Sequence, residues 1–136
     1  MKTKKINHIA IAVSNIEEAA KFYQRVLGVT LSGSEIVPAQ KSKVGFLKCG
    51  ETNLELIQPT EPNSPLAKFL ETRGEGIHHI CFEVDDVEAA VKSCLDEGLT
   101  MVDRKPGPGS QHSKIAFIHP KSAGNVLVEF CEYPKG

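Results

Sequence analysis

Ile6-Asn7-His8-Ile9-Ala10-Ile11-Ala12-Val13 and Ile77-His78-His79-Ile80-Cys81-Phe82-Glu83-Val84 decide how this chain is read. Each run has the composition of a strand and carries a histidine third in line. Each leads into a helix-like segment containing Glu-Ala-Ala, Ile16-Glu17-Glu18-Ala19-Ala20 in the first copy and Val87-Glu88-Ala89-Ala90 in the second. His8 and His79 hold the same place in the two copies, 71 residues apart.

Outward from these runs the duplication continues. Ser14 or Asn15 is placed to cap a helix whose apolar positions Ile16, Ala19, Ala20, Phe22, Tyr23, Val26 and Leu27 recur at helical spacing, with Gly28 as its stop. Strands are expected over 29–37, 44–49 and 54–57, the last two joined by the hairpin signal Gly50-Glu51-Thr52-Asn53. A proline-rich connector follows, in which Ser64 caps a short helix from Pro65 to Thr72 and Gly74-Glu75-Gly76 ends it. The second copy is expected as a strand over 77–84, a helix over 86–97, a short strand over 99–103, a Gly/Pro-rich loop over 106–111, and strands over 114–119 and 126–132. Lys43-Val44-Gly45-Phe46-Leu47 matches Lys114-Ile115-Ala116-Phe117-Ile118, and Leu54-Glu55-Leu56 matches Val128-Glu129-Phe130. Four matched segments in order define two βαβββ modules, 1–58 and 77–136, joined by the linker 59–76. A half of about 60 residues hardly buries a core alone. The expected fold is therefore a single α+β domain of 136 residues, its two modules forming one curved mixed sheet.

The duplication also puts His8 in register with His79, and Glu55 with Glu129. Each glutamate sits between bulky apolar residues on a strand, so it points away from the face those neighbours bury. A lone strand glutamate usually meets solvent, and a lone strand histidine is usually a structural donor. Four such residues at equivalent points of a repeat instead form a His/Glu/His/Glu set. Two imidazoles and two carboxylates suit a six-coordinate divalent ion with open positions better than a closed structural zinc site. Cobalt, nickel, manganese, zinc and magnesium all fit the donors. Such an ion acts as a Lewis acid on a carbonyl.

The arrangement resembles the vicinal oxygen chelate (glyoxalase/bleomycin resistance/dioxygenase) superfamily. Within it the chain is similar to the methylmalonyl-CoA epimerase family. The residues that carry the likeness are His8-Ile9-Ala10-Ile11-Ala12-Val13, Glu55-Leu56, Asn63-Ser64-Pro65-Leu66-Ala67-Lys68-Phe69-Leu70, Gly74-Glu75-Gly76-Ile77-His78-His79-Ile80-Cys81, His119-Pro120-Lys121-Ser122 and Gly124-Asn125-Val126-Leu127-Val128-Glu129. The resemblance implies His8, Glu55, His79 and Glu129 as metal ligands. It implies interconversion of (2R)- and (2S)-methylmalonyl-CoA, or of a close acyl-CoA such as ethylmalonyl-CoA, by proton transfer at C2 through an enolate whose charge a metal stabilises. Glu129 is the first choice of base and Glu55 the choice for the opposite face. Some epimerases carry a separate carboxylate on the third strand, where this chain has apolar Val44. Ser113, at the end of the loop Gly107-Pro108-Gly109-Ser110-Gln111-His112-Ser113, is expected to meet the substrate carboxylate, and Lys121 a coenzyme A phosphate. His112 and His119 are read as loop residues and His78 as a structural one. A homodimer is implied by the same likeness. The alternatives are a glyoxalase I-type lactoylglutathione lyase and a non-catalytic binding protein of the same fold.

Bulk properties bound the rest. With a net charge of −1 and only Lys2-Thr3-Lys4-Lys5 as a basic run, no nucleic-acid partner is expected. No apolar run reaches the roughly 18 residues that span a bilayer, and no signal-peptide core stands at the start, so no membrane partner is expected and the predicted location is cytoplasmic, or the mitochondrial matrix if a transit peptide has been removed. Cys49, Cys81, Cys94 and Cys131 form no C-x-x-C pair; three lie in apolar strand-like runs and are read as small buried hydrophobes in a reducing compartment.

Overall fold

The computed structural model describes residues 1–135. The elements are β1 (Thr3–Ala12), α1 (Ile16–Leu27), β2 (Leu31–Val37), β3 (Ser42–Cys49), β4 (Thr52–Pro59), α2 (Pro65–Arg73), β5 (Gly76–Val84), α3 (Val87–Asp96), β6 (Gly107–Pro108), β7 (Lys114–Ile118) and β8 (Val128–Glu132). The expected βαβββ order thus occurs twice, with α2 between the copies. The chain packs as two compact units, His8–His78 in one and Met1–Asn7 with 79–135 in the other.

In the unit His8–His78 the strand order is β2-β3-β4-β1, with β1 parallel to β4 and the other neighbours antiparallel. Asn15 is the cap of α1, its side chain accepting the Glu18 N–H, and Gly28 ends the helix at φ 67°, where any Cβ would be strained. A further free N–H of the first turn, that of Ile16, donates to Gln58 Oε1 at 3.0 Å. One face of the sheet buries Leu47 and Leu56 beneath Ile16 and Ala20 of α1. The other buries Ala10, Ala12, Val44, Phe46 and Ile57 with Leu66 of α2. Ser64 caps α2, accepting the Ala67 N–H.

Helix α1 lies close on its sheet because β3 has glycine beneath it. A methyl group on Gly45 would stand 2.6 Å from Ile16 Cγ2 and 3.2 Å from Leu31 Cδ1. The second copy resolves the same crowding with different sizes: Val87 replaces Ile16 and Ala116 replaces Gly45, both fully buried in one cluster. Gly45→Ala is expected to destabilise the protein by about 1–3 kcal/mol in a urea titration, as overpacking does. Adding Ile16→Val should return most of that loss; if it does not, the contact at Ile16 is not the source.

In the unit of Met1–Asn7 with 79–135 the strand order is β5-β8-β7-β6, and β5 runs parallel to β8. Asp86 caps α3, and the Val87 N–H donates to Glu132 Oε1 at 2.9 Å. Glu132 therefore does for α3 what Gln58 does for α1, an equivalence that extends the duplication to the last strand of each module. Residues 1–7 are tied in by the Asp85 N–H on the Lys2 carbonyl (3.3 Å), by Asn7 Nδ2 on Glu83 Oε1 (3.1 Å) and by the Tyr133 hydroxyl on Asn7 Oδ1 (3.3 Å). Among the described residues no helix is long and apolar enough to cross a membrane.

The strand expected over 99–103 is not formed. Met101 makes one isolated bridge to Ile118, and the Phe117 N–H, which would extend the ladder, donates to the Asp103 carboxylate at 3.1 Å. A side chain has taken the place of the backbone acceptor. Conversely, the Gly/Pro-rich loop holds the two-residue strand β6, paired Gly107 to Ile115 and Pro108 to Lys114.

Candidate metal centre

Each unit holds one histidine–glutamate pair. In the first, His8 is on β1 and Glu55 on β4, and His8 Nδ1 lies 3.2 Å from Glu55 Oε2. In the second, His79 is on β5 and Glu129 on β8, and His79 Nε2 lies 2.9 Å from Glu129 Oε1. The registers agree. Glu55 stands opposite Ala10, two residues past His8, and Glu129 stands opposite Cys81, two residues past His79. In both copies the histidine and the carboxylate therefore share a face, the one turned away from α1 or α3. In both, a phenylalanine of the adjoining strand is paired with the carboxylate residue, Phe46 with Glu55 and Phe117 with Glu129. The Phe117 ring also meets the His79 imidazole edge-on, with centroids 5.2 Å apart.

All four side chains are 4–7% exposed. Carboxylates at that depth are costly unless paired or ligating. A buried ion pair alone would satisfy one such pair. In each unit the pair offers one nitrogen and one oxygen donor, the kinds of atom that a divalent cation takes.

Ser113 is buried, just ahead of β7, while Lys121 is exposed in the turn between β7 and β8. Gln111 (φ 54°) and His112 (φ 61°) are consecutive left-handed residues, which costs about 1 kcal/mol or more at each non-glycine position. The His-Pro-Lys-Ser turn has a structural use that its sequence does not announce. His119 Nδ1 accepts the Lys121 N–H at 3.1 Å, and the Ser122 hydroxyl accepts the Thr100 N–H at 2.9 Å. His78 packs edge-on against Phe69 of α2, centroids 4.8 Å apart.

Cysteine placement needs one correction. Cys81, Cys94 and Cys131 are buried, but Cys49 is exposed at the end of β3, where the chain leaves the sheet for the Gly50 turn. Burial, then the neighbouring Cys131 and Glu129, push the Cys81 thiol far above its ordinary range, so it stays protonated and unreactive. Titration with a disulfide reagent at pH 8 is expected to find one fast thiol in the native protein and four after denaturation. Loss of that fast thiol in Cys49→Ser would assign it.

The model of the Glyoxalase/Bleomycin resistance protein/Dioxygenase superfamily matches residues 7–117. Uncharacterized protein YqjC of Bacillus subtilis (strain 168) is 42% identical, over 97% of this chain and 94% of its own length. The human mitochondrial methylmalonyl-CoA epimerase is 38% identical over 92% of this chain and 72% of its own length. A solved Streptomyces coelicolor methylmalonyl-CoA epimerase, in complex with 2-nitronate-propionyl-CoA, superposes with a TM-score of 0.94 at 31% identity, covering 98% of this chain and 100% of that one. The chain belongs to that superfamily and, inside it, to the methylmalonyl-CoA epimerase family.

Proposed function

We propose that the protein interconverts the two epimers of methylmalonyl-CoA by moving the proton at C2, and that His8, Glu55, His79 and Glu129 are ligands of one divalent ion, cobalt(II) foremost. The observation that carries this reading is the recurrence of a buried His–Glu pair at one register in both copies. The family membership supports the substrate class.

The proton at C2 is flanked by a thioester and a carboxylate, which already makes it acidic. When bound, a divalent ion supplies positive charge against the negative charge that builds on the substrate oxygens. Inversion needs a base on each face of C2. Glu129 takes the proton from one face while the conjugate acid of Glu55 delivers a proton to the other, and the two exchange roles for the opposite epimer. Val44 lies on the face of Glu55, on β3 opposite Ile57, and is apolar and buried, so it offers no carboxylate there, which supports Glu55 as the second base. The buried apolar surround of both carboxylates keeps bulk water from trapping the proton. Ser113 and Lys121 contact the substrate carboxylate and a coenzyme A phosphate. A homodimer, and a cytoplasmic or matrix location, belong to the same reading through the family likeness.

The test strips the protein with a chelator, restores Co²⁺ and incubates one epimer of methylmalonyl-CoA in D₂O. Loss of optical activity together with metal-dependent deuterium at C2 is expected. A folded, metal-loaded protein that exchanges no proton would overturn the reading, and methylglyoxal hemithioacetal would be the next substrate to try.

A further inference from the structure

Gly109 has an extended backbone, φ −122° and ψ −165°. That conformation does not by itself demand glycine there; space does. A methyl group on its Cα would stand 2.6 Å from the Ser113 hydroxyl and 2.6 Å from Ile115 Cγ2. The segment between is closed by the Gly109 N–H on the Ser113 carbonyl and the Ser113 N–H on the Ser110 carbonyl, each 3.0 Å. Gln111 and His112, both left-handed, turn the chain back so that Ser113 faces inward. Strand alternation then carries Ser113 onto the face of Ile115 and Phe117, the face on which Phe117 is paired with Glu129. The row Cys81, Cys131 and Ile115 forms a buried apolar floor on that same face.

We propose that Gly109 is a positioning residue for the substrate's free carboxylate: its missing side chain leaves the space in which the Ser113 hydroxyl stands to donate to that group. This rests on the epimerase reading above and names the part of the loop that sets selectivity for a dicarboxylic thioester. A longer side chain at 109 displaces the hydroxyl without removing it.

The test compares binding of malonyl-CoA and propionyl-CoA, which differ in the carboxylate, to Co²⁺-loaded wild type, Gly109→Ala, Ser113→Ala and the double variant by calorimetry. Wild type is expected to favour malonyl-CoA. Gly109→Ala and Ser113→Ala should each cut that preference at least fivefold, and the double variant should lose no more than Ser113→Ala alone. A Gly109→Ala protein that keeps the wild-type preference, while Ser113→Ala loses it, overturns the proposal. If Ser113→Ala keeps the preference, Ser113 does not meet the carboxylate and the proposal falls with it. Deuterium uptake by wild type would then still stand for the epimerase. Should Gly109→Ala not fold, Gly109→Ala with Ile115→Ala removes the second clash and leaves the one with Ser113, and the same comparison applies.

Discussion

Glu129→Gln is expected to slow interconversion of the two epimers by about 10²–10⁴-fold, the usual worth of a positioned general base. The amide is isosteric with the carboxylate and fits the same space, in which Glu129 Oε1 lies 2.9 Å from His79 Nε2. What is lost is basicity and one negative charge, not shape. Thermal stability should therefore change little beside the change in rate. The decisive readout is stereochemical. With bases on opposite faces, Glu129→Gln should still exchange the proton of one epimer into D₂O while failing to convert it, and Glu55→Gln should do the same for the other epimer. Equal loss of exchange from both epimers in either variant would mean that one carboxylate serves both faces, and the two-base assignment would be wrong.

Chelation is expected to have an effect of similar size. Withdrawing a divalent ion from a developing negative charge costs several kcal/mol, about two to three orders of magnitude in rate. Added Co²⁺ should restore the rate with one equivalent per chain. Chelator should also lower the melting temperature, because an ion bound only by the folded protein stabilises it by mass action. His8→Ala and His79→Ala remove one donor from each copy of the repeat. If both copies serve one ion, both variants weaken the same metal isotherm and both lose activity. A His8→Ala protein that keeps full metal content and full rate would sink the shared centre, and the His8–Glu55 pair would then be a structural one.

Much of this architecture was legible in the residues because duplication supplies its own control. His8 and His79 each looked ordinary alone, and their common place in two matched runs made them candidates. The caps were legible for a different reason: Asn15, Ser64 and Gly28 act on their own neighbours, so local chemistry suffices. What the residues did not disclose depends on contacts made far along the chain. The segment 99–103 has a strand's composition, yet Asp103 spends its carboxylate on the Phe117 N–H and only one bridge forms. The His-Pro-Lys-Ser turn pointed to the family, but its hold on Thr100 through Ser122 is visible only in three dimensions. Cys49 has a strand's surroundings in sequence and a turn's exposure in space. The register that puts Glu55 opposite Ala10 and Glu129 opposite Cys81 is likewise a matter of pairing, which alternation suggests but does not number.

Ile16 over Gly45, against Val87 with Ala116, has a consequence for how the chain assembles. Tandem copies of one module invite the helix of one to settle on the strands of the other while the chain is still collapsing, a common failure of repetitive sequences. Here the mismatched partnerships are penalised in both directions. Isoleucine above alanine is crowded, and valine above glycine leaves a methyl-sized void. Divergence at these two positions would thus favour each helix on its own strands in a chain whose halves share one architecture, before any ligand is present.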